Sequence, residues 1–340
     1  MAPTTHTVVR RGRPRQVVAT AVALAALTVG TAGAPSPAAP HTSAPVSGNG
    51  RTAQPTSLFP GFLLDRGRYT TIEAPQAGVQ VFPTGINNRG TVVGEYVRTD
   101  VRESGLLRHP GGRITTFDIP GARGTEANQI NDRGQITGTF SLDTPIVNNS
   151  ARPHGYVLDH GKVTRIDFPG AHSTSVSAVD NRGLAVGVYT DAGGRRHGFR
   201  WQQGRFTTLD VPGAANTVPL DNNDRGQIVG YTSDAAGTAI RGFLWEQGRL
   251  TTIKAPGARF TDASGINNRG QIVGSTYDDP ADLTGARGYL LADGAKGRFT
   301  PVTVPGAPRT VAAGINDQGQ IVGLYENPAT PSRQDGAARR

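Results

Sequence analysis

The feature that most constrains this chain is a unit of about 45 residues that occurs six times. A Pro-Gly-Ala triplet recurs with successive prolines 43 to 49 residues apart, and the first copy, at Pro75, is degenerate. The second landmark is an asparagine-rich turn ending in glycine, which occurs at 87–90, 131–134, 180–183, 223–226, 267–270 and 316–319. Six copies of both landmarks in 340 residues predict a repeated architecture.

Each unit contains four short segments with the features of β-strands. In one copy, Leu250–Ile253 combines apolar residues with two threonines, a composition that is typical of a short strand. The asparagine turns suit tight hairpins, because Asn and Asp bond their own backbone and glycine accepts a left-handed conformation. Long helices are not expected here, since 46 glycines and 24 prolines are spread along the chain.

Four strands per unit in six units predict an all-β fold, a six-bladed β-propeller with four-stranded blades over residues 58–326. The chain opens with a third and a fourth strand at 59–64 and 69–73, and it closes with a first and a second strand at 311–315 and 320–325. We therefore expect the N- and C-terminal strands to pair and close the ring, which removes exposed sheet edges. A frame with no split blade and a linear β-solenoid are the alternatives.

The units resemble the extracellular HAF-type repeats of secreted bacterial proteins from Phe59 to about Tyr325. The resemblance rests on Ile130-Asn131-Asp132-Arg133-Gly134-Gln135-Ile136 and on the Gly-Phe-Leu-Trp run at 242–245. This chain departs from the His-Ala-Phe triplet of that family, for example at His197-Gly198-Phe199. The resemblance implies secretion and repeats, and it brings no catalytic residues.

The first 38 residues have the composition of a secretory signal peptide. Four arginines between positions 10 and 15 precede an uncharged stretch at 17–29, which is followed by small residues and prolines. Residues 39–57 and 327–340 are predicted to be a flexible linker and a disordered tail. The chain has no cysteine, so a secreted Gram-positive protein without disulfides is expected, with no membrane contact after signal removal.

The predicted topology places five turn arginines around one face of the ring, namely Arg89, Arg133, Arg182, Arg225 and Arg269. This basic face favours a secreted, non-catalytic binding or scaffold module for an anionic cell-wall polymer, a polysaccharide or a protein. No basic stripe interleaved with aromatic residues is present, so nucleic acid is not an expected partner, and a monomer is expected. The alternative is that turns simply require polar residues and that arginine is the usual cation of this chain.

Candidate catalytic residues are sought where the repeat symmetry fails, because an active site needs unlike groups converging on one point. Asp221-Asn222 replace the Gly-Ile of three other copies, and Asp180 replaces an asparagine. Carboxylates lining a central channel would fit an extracellular carbohydrate-active hydrolase or lyase. Sequence drift among the repeats would produce the same breaks.

One loop carries three carboxylates, at Asp278, Asp279 and Asp282, which makes it a candidate for calcium binding. The spacing does not match a twelve-residue calcium loop, so solvated acidic residues are the alternative interpretation. No cofactor is expected.

Overall fold

A computed structural model describes residues 59–74, 80–98, 102–146, 151–237, 239–279 and 284–328. The predicted signal peptide, the linker, most of the tail, Pro75 and Asp282 lie outside these residues. The described chain forms six antiparallel sheets around a central axis. The prediction of an all-β, six-bladed propeller with four-stranded blades is confirmed.

The strands are numbered in chain order, and blade 1 contains both ends of the chain. Blade 1 consists of β1 (Gly61–Asp65), β2 (Arg68–Ile72), β24 (Thr310–Ile315) and β25 (Ile321–Tyr325). Blades 2 and 3 consist of β3 (Gln80–Ile86), β4 (Val92–Val97), β5 (Glu103–Arg108), β6 (Ile114–Phe117), β7 (Gly124–Ile130), β8 (Ile136–Ser141), β9 (His154–Asp159) and β10 (Lys162–Ile166).

Blades 4 to 6 follow the same plan, with the innermost strand first. They consist of β11 (Ser173–Val179), β12 (Ala185–Thr190), β13 (Arg196–Gln202), β14 (Arg205–Leu209), β15 (Asn216–Asn222), β16 (Ile228–Ser233), β17 (Arg241–Glu246), β18 (Arg249–Ile253), β19 (Phe260–Thr261), β20 (Gly265–Ile266), β21 (Ile272–Tyr277), β22 (Arg287–Leu291) and β23 (Phe299–Val302). A single 3₁₀ turn, Gly294–Lys296, lies between β22 and β23. In blade 6 the innermost strand is split into β19 and β20.

The ring closes by pairing the two ends of the chain. Strand β1 pairs antiparallel with β25 over four residues, with Phe62 opposite Gly323, and the blade order is β2-β1-β25-β24. The split-blade frame is therefore the one that the protein adopts, and the sheet edges that an open array would expose are paired.

The innermost strand of each blade has an irregular register, which explains the glycine that recurs in the second strand. In blade 2 the pairing skips Thr84, and the Phe82 carbonyl oxygen lies 2.0 Å from where a Cβ on Gly94 would stand. The equivalent glycine in the other five blades meets the same carbonyl at 1.9 to 2.3 Å. Any side chain at this position would displace the inner strand, so only glycine fits.

Aromatic residues of the third strands form the packing between blades. Phe62, Tyr156, Phe199, Phe243 and Tyr289 are all at most 3% exposed. A separate apolar cluster combines Phe82 and Val218, which come from the innermost strands of opposite blades. The cluster also contains Phe260 of blade 6 and Val311 of blade 1, so it runs around the ring through neighbouring blades.

Candidate functional site: the channel mouth and the turn face

The first–second and third–fourth turns of the blades lie on one face, called the turn face below. Gln135 of a first–second turn donates to Asp159 of the neighbouring third–fourth turn at 3.0 Å, and Gln227 donates to Glu246 at 2.7 Å. The twelve turns contain 13 basic and 8 acidic residues, counted over 65–68, 87–91, 109–113, 131–135, 159–162, 180–184, 202–205, 223–227, 246–249, 267–271, 292–298 and 316–320. The turn face therefore carries a formal charge of 13 − 8 = +5.

The first position of each asparagine turn builds the turn and ties it to the next blade. The Asn87 Oδ1 atom accepts from the backbone N–H groups of Arg89 and Thr91, at 3.1 and 3.0 Å. Its Nδ2 atom donates to the Asn131 carbonyl of the next blade at 3.2 Å. The turn glycines close the motif with φ between 75° and 84° in all six copies.

Asp180 breaks this inter-blade chain of hydrogen bonds, because a carboxylate cannot donate to the next carbonyl. Asparagine side chains make the link at five of the six blade junctions, from Asn87, Asn131, Asn223, Asn267 and Asn316. At the junction of blades 4 and 5 the Asn222 Nδ2 atom donates to the Leu184 carbonyl at 3.0 Å instead. Two of the breaks in repeat symmetry are thus neighbours, and Asn222 replaces the link that Asp180 cannot form.

The second position of each turn forms a closed ring of side chains, called the Asn/Asp ring below. Asparagine and aspartate alternate around it in the order Asn88, Asp132, Asn181, Asp224, Asn268 and Asp317. Each backbone N–H donates to the Oδ1 atom of the next member at 2.7 to 3.0 Å. Each asparagine Nδ2 also donates to the Oδ2 atoms of both neighbouring aspartates, at 2.7 to 3.4 Å.

The five predicted turn arginines follow the Asn/Asp ring in sequence, and all five are exposed. The guanidinium groups of Arg182, Arg225 and Arg269 lie over the turn glycine of the next blade. Arg182 pairs with Asp180 at 3.2 Å. Within the described residues, the other four arginines form no ion pair. The structure thus places the predicted residues on one face, where all five are exposed to solvent.

The three predicted catalytic residues line one cavity at the channel mouth. The Asp221 carboxylate accepts from the backbone N–H groups of Ile266 and Asn222, at 2.9 and 2.8 Å, and from the Gln129 side chain. Burial raises the pKa of Asp221 to about 7, although these hydrogen bonds oppose the shift. Asp180 binds its own turn and Arg182.

The cavity has a volume of about 60 Å³, and the Asn/Asp ring contributes to its lining. Small-molecule sites usually measure several hundred Å³, so a sugar ring does not fit here without a rearrangement of the inner strands. Asp180, Asp221 and Asn222 do line one cavity, as the breaks in repeat symmetry predicted, but this cavity is too small for a glycoside.

The calcium candidates lie elsewhere, in the loop between β21 and β22. Asp278 and Asp279 are exposed, and both backbone N–H groups donate to the Thr284 carbonyl, at 2.8 and 3.4 Å. Across the described ranges, no three His, Asp or Glu side chains are placed to chelate one metal ion directly.

Sequence reasoning missed a group of glutamates buried between blades 2 and 3. Glu95, Glu103 and Glu126 come from β4, β5 and β7. Burial, and then the charge of Glu103, raises the pKa of Glu95 to about 8. The pKa of Glu126 is raised well above its usual range by burial and by the other two carboxylates. No spacing in the sequence brings these residues together, because they meet only across a blade junction.

No family model matches the chain, and no curated protein matches it either. Solved structures do match. A putative TolB from Agrobacterium tumefaciens superposes with a TM-score of 0.57 at 11% identity, over 81% of this chain and 99% of that one. TolB from Acinetobacter baumannii superposes with a TM-score of 0.50 at 14% identity, over 79% of this chain and 64% of that one, so the match spans under two thirds of its length.

The likeness establishes the propeller fold alone, since identities of 11% and 14% are too low to carry a function. Within the part of the chain that the structure describes, no helix has the length and hydrophobicity needed to cross a bilayer.

Proposed function

We propose that this protein is a secreted, non-catalytic binding propeller whose turn face recognises an anionic polymer of the cell wall. The observation that carries the proposal is the set of four exposed arginines that form no ion pair within the described residues, Arg89, Arg133, Arg225 and Arg269. They stand at repeated positions around the channel mouth, on a face with an excess of five positive charges. Such a surface attracts polyanions and raises their association rate in a salt-dependent way.

The arrangement suits a repeating ligand. Arginine presents a planar fork of donors that matches phosphate and carboxylate groups. Four such groups on equivalent turns can engage successive charges of one polymer chain, and linked contacts raise the overall affinity beyond that of each alone. The predicted signal peptide makes a cell-wall polymer the natural ligand class.

A hydrolase is less well supported. Asp221 has a pKa of about 7, which suits acid–base chemistry, but the surrounding cavity of about 60 Å³ has no room for a sugar. The carboxylate is also held by three donors inside the inner strands.

The test is retention of the purified chain on Gram-positive cell walls over a salt gradient. A variant with Arg89, Arg133, Arg225 and Arg269 changed to glutamate is expected to elute at much lower salt than the parent protein. The matched control makes the same four changes at Arg123, Arg152, Arg259 and Arg287, which are exposed and lie outside the turns. Equal loss in both variants, or no retention of the parent chain, would refute the proposal.

A further inference from the structure

The positive charge of the turn face is unevenly distributed around the ring. The turns of blades 6, 1 and 2, over the same turn residues as above, contain seven basic and three acidic residues, an excess of 7 − 3 = +4. The turns of blades 3, 4 and 5 contain six basic and five acidic residues, an excess of 6 − 5 = +1. Blade 1 lies between blades 6 and 2, because Asp317 accepts from the Asn268 backbone N–H and donates its own N–H to Asn88. One half of the face therefore carries four of the five excess charges.

The asparagine turns account for part of this asymmetry. Of the six, only those of blades 2 and 6 contain no acidic residue, and these two blades flank blade 1. Arg89 and Arg269 therefore follow an asparagine of the Asn/Asp ring, whereas the equivalent Arg133 and Arg225 each follow an aspartate. The turn arginine of blade 4 is paired with Asp180 at 3.2 Å. A carboxylate beside an arginine lowers the positive potential that a ligand meets there.

Blade 1 contributes its cations from the third–fourth turn and not from its asparagine turn. Gln318 stands where the other five blades have arginine, and its Nε2 atom donates to the Asn88 carbonyl at 2.9 Å. Arg66 and Arg68 lie in the hairpin turn between β1 and β2, and both are exposed. Arg66 has only a long contact with Asp65, at 4.0 Å. The cations thus continue across blade 1, further from the channel than the asparagine turns.

We propose that the anionic polymer docks along one arc of the turn face, across blades 6, 1 and 2, and leaves blades 3 to 5 largely uncovered. This inference rests on the proposed function and narrows its site from a ring to an arc. Besides Arg66, the arc consists of the exposed residues Arg269, Lys296, Arg298, Arg68, Arg89 and Arg113.

A flexible linear polyanion suits such an arc. It can place successive charges on neighbouring cations, and linked contacts raise the overall affinity beyond that of each alone. The half of the face with an excess of four charges attracts it more strongly than the half with an excess of one, and salt weakens the attraction. Of the four unpaired turn arginines, Arg89 and Arg269 therefore make the stronger contacts.

The test compares two double variants with the same change of charge at equivalent turn positions. One is Arg89→Glu with Arg269→Glu, and the other is Arg133→Glu with Arg225→Glu. All four side chains are exposed. On Gram-positive cell walls the first variant is expected to elute at a lower salt concentration than the second. Its affinity for sodium polyphosphate, a soluble linear polyanion, should be at least about tenfold lower than that of the second at one ionic strength.

The possible outcomes separate the arc from the proposed function. If the parent chain is retained and the two variants elute together, or the second elutes first, the arc is refuted and the proposed function stands. If the parent chain is not retained on the cell walls, the proposed function fails and the arc fails with it.

Footprinting of the parent chain tests the arc even if a variant does not fold. Phenylglyoxal modifies exposed arginines, and mass spectrometry of the digested protein measures the extent of modification at each one. With sodium polyphosphate bound, we expect modification of Arg68, Arg89 and Arg269 to fall at least about threefold more than that of Arg133 and Arg225. Equal protection of all five arginines would overturn the arc.

Discussion

The buried glutamates between blades 2 and 3 make a quantitative prediction about stability and pH. The pKa of Glu95 is raised to about 8, whereas an unfolded chain would ionise this residue near 4.5. Between these values the folded chain retains a proton that the unfolded chain has lost. The free energy of unfolding therefore falls as the pH rises through this range and levels off above pH 8.

The magnitude follows from the two pKa values. At 1.36 kcal/mol per pKa unit, values of 8 and 4.5 correspond to a loss of about 5 kcal/mol. Part of that loss is repulsion between Glu95 and Glu103. If Glu95 lost its charge, the repulsion between Glu103 and Glu126 would remain. Glu95→Gln keeps the shape of the side chain and removes its charge. We expect the variant to be more stable than the parent by about 2 to 5 kcal/mol at pH 9, and nearly equal to it at pH 5.

The assay is urea unfolding at pH 5 and pH 9, followed by the fluorescence of Trp201 and Trp245. Asp118→Asn is the matched control, because this carboxylate is exposed and its removal should not change the pH dependence. The reasoning fails if the parent chain is as stable at pH 9 as at pH 5, or if Glu95→Gln leaves the loss at high pH unchanged.

Three further predictions concern side-chain packing and one recurring type of hydrogen bond at the start of the inner strands. Gly198→Ala should destabilise the fold by roughly 1 to 3 kcal/mol, because a Cβ would stand 2.4 Å from the Leu209 carbonyl, and thermal unfolding measures the change. Phe62→Ala, in the blade that closes the ring, should cost about 3 to 5 kcal/mol in urea unfolding, and a loss below 1 kcal/mol would contradict tight packing at the closure. Thr217→Val should cost about 1 kcal/mol, because its hydroxyl accepts from a backbone N–H at 2.9 Å, whereas exposed Thr207→Val should have little effect in the same measurement.

The threonine of the last prediction illustrates how far sequence reasoning reached. The recurrence of the Pro-Gly-Ala triplet is visible in the sequence, but its cause is visible only in three dimensions. In five blades a threonine at the start of the inner strand, five residues after the proline, accepts from the backbone N–H of the residue that precedes the Pro-Gly, at 2.9 to 3.2 Å. The turn therefore begins each blade in a fixed position, which keeps its length constant.

The candidate site was predicted in part. Repeat asymmetry indicated Asp180, Asp221 and Asn222, and these residues do line one cavity. Sequence reasoning treated the residue after each turn asparagine as a polar turn residue, although the alternation of Asn and Asp at six equivalent positions was already a signal. Its meaning depended on knowing that the sixth turn adjoins the first, as the bonds between Asp317 and Asn88 show.

The sequence by itself determined the number of blades, the strands and the closure, because these follow from local periodicity and from the order of the segments. Tertiary structure alone decided which groups share a dielectric environment. Glu95 and Glu126 are 31 residues apart, and their coupling arises from burial at a blade junction. Likewise, an alternating donor–acceptor ring closes only with an even number of members, so six blades permit it. Charge and hydrogen bonding act through space, and chain order does not record those distances.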